Sequence, residues 1–103
     1  SMGDPGARYT VKLSTAASDK LKRILHDFPE ISDAVMEQLN RFSQQPASLS
    51  HPSKTPPHPP GLQVFEFPVL SRDSKHYFWF FFRYGADEQS LWVGEFGYAR
   101  FAR

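Results

Sequence analysis

The sequence predicts an α+β fold of order β-α-α-β-β-β, an antiparallel sheet with a helical hairpin packed on one face. Three observations predict it. The N-terminal segment alternates with a period of two, two helical repeats follow, and the C-terminal third holds three apolar alternating runs separated by short turns.

RYTVKL (8–13) sets Tyr9, Val11 and Leu13 against Arg8, Thr10 and Lys12, the pattern of a half-buried strand. From Ser14 the repeat turns helical, with Ala17, Leu21, Ile24, Leu25 and Phe28 on one stripe, and Ser14 or Thr15 is placed to cap the first N–H groups. Lys20, Lys22 and Arg23 fall on the opposite, solvated face. Asp27-Phe28-Pro29-Glu30 ends this helix and restarts another. Pro29 suits a first helical turn, and Asp27 with Glu30 has the spacing of a capping box. Ile31, Val35, Leu39 and Phe42 carry the second helix to about Gln45.

PASLSHPSKTPPHPPG (46–61) holds six prolines, which neither a helix nor a central strand accommodates. An extended connector, partly polyproline II, is expected there. Pro56-x-x-Pro59 formally matches a proline-rich ligand motif, but a stiff connector explains it more simply. His51 and His58 lack a third ligand or a nearby carboxylate in the sequence, so no metal site is expected.

LQVFEFPVL (62–70) is the next strand, with Pro68 marking a bulge or an edge near its end. RDSK (72–75) turns the chain into HYFWFFFRY (76–84), and GADEQ (85–89) turns it again into SLWVGEFGY (90–98). The middle run places seven aromatic side chains in nine positions. Phe78, Phe80, Phe82 and Tyr84 share one face; Tyr77, Trp79, Phe81 and Arg83 share the other. The phenylalanine row suits a core beneath the hairpin. Tyr77, Trp79 and Phe81 lie in a row with polar handles, which marks a partner-binding face.

Composition excludes several classes. At 103 residues the chain is one domain, residues 8–103, preceded by Ser1-Met2-Gly3 and a stretch to residue 7 that reads as a tag remnant and is expected to be disordered. There is no cysteine, so disulfides and thiolate zinc sites are ruled out and a cytoplasmic setting fits. No apolar run nears the ~20 residues of a membrane helix. A net charge of +1 argues against a surface that coats nucleic acid throughout.

From Tyr9 to Arg100 the order of elements resembles the RelE/ParE superfamily of bacterial type II toxins. YTVKLSTAASDKLKRI is similar to the family's first strand and helix, and PEISDAVMEQLNRFSQQP to its second helix. GLQVFEF, HYFWFFFRYGADEQSLWV and FGYAR are similar to its three C-terminal strands. The short first helix is closer to the RelE-like branch. The resemblance implies a toxin silenced by a cognate antitoxin protein, acting as an endoribonuclease on messenger RNA at the ribosome, with no cofactor and no metal. A ParE-like inhibitor of DNA gyrase and a non-catalytic binding module of the same fold are the alternatives, and a homodimer is compatible with each.

In the implied chemistry a 2′-hydroxyl attacks the adjacent phosphate, one group takes its proton, another protonates the departing oxygen, and cations offset the developing charge. The resemblance places these groups on the open face of the sheet. Tyr98 and Arg100 match the C-terminal tyrosine and basic positions. The arginine expected at the start of the third strand is absent; Tyr77 or His76 stands there, with Lys75 and Arg72 just before it, and His76 and Lys75 join the candidate catalytic set. Arg72, Arg83, Lys54 and Arg103 are the candidate phosphate contacts. Each has a structural reading as well: Arg83 as a cation–π cap, Tyr98 as a core edge, Arg72 and Lys75 as turn residues. Glu66 reads equally as a base or as a rim ion-pair partner.

Overall fold

The computed structural model describes residues 8–53 and 61–103. The expectations for residues 1–7, Lys54, His58 and the Pro56–Pro59 motif lie outside them.

Strand β1 (Thr10–Leu13) leads into helix α1 (Thr15–Asp27), a 3-10 turn (Pro29–Ile31), helix α2 (Ser32–Gln44) and a single helical turn, α3 (Pro46–Leu49). Strands β2 (Ser50–Pro52), β3 (Gln63–Leu70), β4 (Ser74–Tyr84) and β5 (Ser90–Ala102) follow. They form one sheet in the order β1-β5-β4-β3-β2. The expected meander β3-β4-β5 is present and antiparallel. The first strand joins it by a parallel pairing with β5, at the edge opposite β2, so β1 and β5 run the same way while β2 and β4 run against them.

The connector differs from the expected loop at its start. Pro46 sits at the first position of α3, where its missing N–H costs nothing, and is itself buried. Residues 50–52 then pair with Gln63–Phe65 as a short edge strand. Pro68 stays in register opposite Tyr77, beyond the stretch that β2 covers, so it occupies a sheet edge and makes no bulge.

Ser14 caps α1 as expected: its hydroxyl accepts from the Ala17 N–H at 3.0 Å. The Asp27–Glu30 capping box does not form. Phe28 stands at the junction, its N–H bonds back to the Ile24 carbonyl at 2.9 Å, and no side chain caps the second helix. The chain passes from one helix to the next through a 3-10 turn, leaving no free helical N-terminus for a side chain to reach.

The core lies between the hairpin and one face of the sheet. Phe78, Phe80 and Phe82 are fully buried there, as are Phe42 and Val35 from α2. Phe42 stacks on Phe65 with ring centres 4.5 Å apart, and Phe80 stacks on Phe96 at 4.7 Å. Such offset and edge contacts add to the area term.

One irregularity sets the rest of β5. Phe81 pairs with Glu95, but Phe82 pairs with Val93, so Gly94 is an extra residue in the ladder. Its carbonyl accepts the Ser14 hydroxyl at 2.7 Å, which ties the bulge to the cap of α1. The bulge reverses the alternation. Leu91 and Val93 face the helices before it, and Phe96, Tyr98 and Arg100 are opposite Phe80, Phe78 and His76 after it.

Candidate functional site

The start of β4 and the end of β5 pair at the end of the sheet where β3 turns into β4. The turn is built on Ser71, whose N–H bonds to the Ser74 carbonyl at 2.8 Å. The C-terminus is fastened beside it: Arg103 donates its N–H to the Asp73 carbonyl at 2.9 Å and its guanidinium to the Ser71 carbonyl at 2.7 Å. Six of the candidates from the sequence therefore meet at one end of the sheet: Arg72, Lys75, His76, Tyr98, Arg100 and Arg103. Arg83 does not join them. It lies at the other end of β4, against Gly61, about 26 Å away at ~3.3 Å per residue.

The open-face placement expected for the catalytic set is overturned for three residues. His76, Tyr98 and Arg100 stand on the helix-facing side of the sheet: His76 by the unbroken alternation of β4, Tyr98 and Arg100 because the Gly94 bulge turns the end of β5 over. Lys75 alone of the catalytic candidates points to the open face, where its ammonium lies 5.8 Å from the centre of the Tyr77 ring.

His76 is 0% exposed. Its Nδ1 is 2.7 Å from the Tyr98 hydroxyl and its Nε2 is 3.3 Å from the Ser71 hydroxyl, so both ring nitrogens have partners. Phe28 closes the site from above, its ring edge-on to the imidazole at 4.9 Å. Arg100 lies over the same Phe28 ring at 5.1 Å and donates to the Ser74 hydroxyl at 3.2 Å. Its guanidinium is otherwise exposed, and among the described residues it has no ion-pair partner.

Burial holds His76 below the usual imidazole value, the Glu30 carboxylate opposes this, and the Arg100 cation adds to it. Burial also raises the Tyr98 phenol, and Arg100 pulls it back while Asp27 and Glu30 push it further up. The pair is thus a neutral imidazole against a protonated phenol, with a cation beside it. Such a site can take up one proton at His76, relayed through the Tyr98 hydroxyl, and bind an anion at Arg100.

The open face carries a different set. Trp79 lies flat over Gly97: a Cβ there would fall 1.9 Å from the indole Cε2. Tyr77 and Phe81 flank it, half-buried, with Trp92, Leu70 and Phe101 exposed around them. Burial raises the Tyr77 phenol, and the charge and hydrogen bond of Glu66 raise it further. Glu66 also lies 3.8 Å from His51, which leaves it a rim residue and not a base at the clustered end. Among the described residues no three metal-ligating side chains are grouped.

Sequence reasoning missed Phe28, Ser71 and Ser74 as parts of the site. Phe28 had been placed in the core stripe, and the two serines carry no signal of their own until the turn brings them beneath His76.

This two-layer arrangement, a helical hairpin on a sheet with a central antiparallel meander, is a RelE-like toxin fold. It is similar to a chain of the crystallised RelBE2 toxin–antitoxin complex of Mycobacterium tuberculosis, with 19% sequence identity and a TM-score of 0.56, covering 90% of this chain and 100% of that one. No family model and no curated protein matches the sequence.

Proposed function

We propose that this chain is the toxin of a type II toxin–antitoxin pair, a metal-independent endoribonuclease acting on messenger RNA at the ribosome in the cytoplasm. The observation that carries this reading is the Tyr98–His76 contact of 2.7 Å beside the exposed guanidinium of Arg100. The fold it shares with a toxin–antitoxin complex supports it.

In this reading Arg100 grips the scissile phosphate, and Arg72, Lys75 and Arg103 raise the positive potential around it. As the 2′-hydroxyl attacks phosphorus, its proton passes to the Tyr98 oxygen while the Tyr98 proton passes to His76 Nδ1. The P–O2′ bond forms and the P–O5′ bond breaks. The 5′-oxygen leaves with a proton from water, giving a 2′,3′-cyclic phosphate and a 5′-hydroxyl. Burial disfavours the imidazolium, so His76 returns its proton readily and the pair resets. The open face, with Tyr77, Trp79 and Phe81, is the docking surface for the antitoxin.

The test is inducible expression without a partner, with primer extension on a reporter message. The parent should arrest growth and cut the message. Arg100→Ala and Tyr98→Phe should each relieve arrest by ~100-fold in cleavage rate or more, the usual scale for a lost proton-transfer or charge-stabilising group. Arrest with intact message and relaxed plasmid DNA would point instead to gyrase. A harmless parent would leave a binding module.

A further inference from the structure

Resting on the nuclease reading, we infer that Ser71 is a positioning residue: it fixes His76 as the Nε2–H tautomer, so that Nδ1 is kept as the acceptor for the Tyr98 proton.

The argument runs through the hydrogen bonds at the β3–β4 turn. The Ser71 hydroxyl has one proton and two neighbours, the Ser74 carbonyl at 3.2 Å and His76 Nε2 at 3.3 Å. A carbonyl oxygen only accepts, so the shorter contact is assigned as donation from the hydroxyl to Ser74, which turns a lone pair towards Nε2. Nε2 must then carry the proton. A neutral imidazole has one N–H, so Nδ1 is bare and accepts from the Tyr98 O–H at 2.7 Å. The result is a one-way chain: Tyr98 O–H to His76, His76 N–H to Ser71, Ser71 O–H to Ser74 C=O.

The surroundings hold the chain in place. His76 is fully buried, so an Nε2–H without an acceptor would be an unsatisfied buried donor. Phe28 edge-on to the ring holds it against flipping. The Ser71 carbonyl is clamped by Arg103 and its N–H by Ser74, so the hydroxyl that points at His76 sits on a fastened backbone. In the opposite tautomer Nδ1–H would donate to the Tyr98 oxygen, and the phenol would lose its proton acceptor. Loss of the group that fixes a catalytic imidazole's tautomer costs on the order of 10–100-fold or more in rate.

The experiment is nitrogen-detected NMR of imidazole-labelled protein, comparing the parent with Ser71→Ala and Ser71→Thr, alongside RNA cleavage by the same samples. The parent should show His76 as a single Nε2–H tautomer. Ser71→Ala should lose that preference, with cleavage falling ~10-fold or more, and Ser71→Thr, which restores the hydroxyl, should recover both. An Nε2–H tautomer retained in Ser71→Ala would overturn the inference, as would a lost tautomer with unchanged cleavage. A parent that cuts no RNA would overturn the nuclease reading instead, since the tautomer is read without cleavage.

Discussion

The two faces of the sheet are built from the same aromatic strand and do opposite things. On the helix-facing side Phe78, Phe80 and Phe82 are fully buried, and every neighbour is another ring or an aliphatic chain. On the open side Tyr77, Trp79 and Phe81 are only half-buried, and Trp92 and Phe101 are 50% and 55% exposed. The difference teaches that ring area by itself does not define a core. What lies across from the ring decides whether that area stabilises the fold or is left open to solvent.

The sharpest way to break the comparison is Phe80→Ala. Its ring packs on Phe67, Phe78 and Phe96, so the change leaves a cavity and should cost ~3–5 kcal/mol. A urea melt that shifts by less than ~1 kcal/mol would mean that this face is not the core.

A second test uses the polar end of the same face. His76 is depressed in the folded protein, so below its unfolded value of 6.5 the unfolded chain binds more protons and stability falls with falling pH. The loss starts at about 6.5 and ends at the lower folded value, with a slope of at most ~1.4 kcal/mol per pH unit. His76→Gln should flatten that limb. Urea midpoints of parent and variant that run parallel between pH ~7.5 and ~5.5 would contradict it.

On the open face the expected effects are smaller. Gly97→Ala should lift the Trp79 indole off the β5 backbone, with a red shift in tryptophan emission and a cost of about 1 kcal/mol. Unchanged emission would show that the indole does not lie over Gly97. The smallest effect is expected from Leu70→Ser, at the exposed rim of the same face. It should change stability by less than ~0.5 kcal/mol while weakening binding of the proposed antitoxin partner in a titration. A stability loss comparable with that of Phe80→Ala would make the open face a second core.

Much of the fold was legible in the chain. The period of two in RYTVKL and in the three later runs, and the helical spacing of Leu21, Ile24, Val35 and Leu39, are local patterns that burial imposes on any such layer. The assignment of faces along β4 also held, from Tyr77 to Phe82, because alternation is unbroken there. The parallel seat of β1 against β5 was less legible, since nothing in four residues states which neighbour they will take. The strand at Ser50–Pro52 was hidden by its proline, which an edge strand tolerates where a central one does not.

The candidate site divides the same way. The sequence by itself determined which residue types were present: a tyrosine and an arginine two apart near the C-terminus, a histidine opening the aromatic run, and cations in the turn before it. It also determined that Tyr98 and Arg100 share a face. Which face was decided only by the tertiary structure. Counted by simple alternation from Leu91 and Val93, Tyr98 and Arg100 fall on the open side. One extra residue at Gly94, held by the Ser14 hydroxyl 80 positions earlier in the chain, turns them over onto His76 and Phe28. A strand's side-chain period is two, so a single inserted residue reverses everything after it. The bond that fixes the insertion is between parts of the chain that only folding brings together.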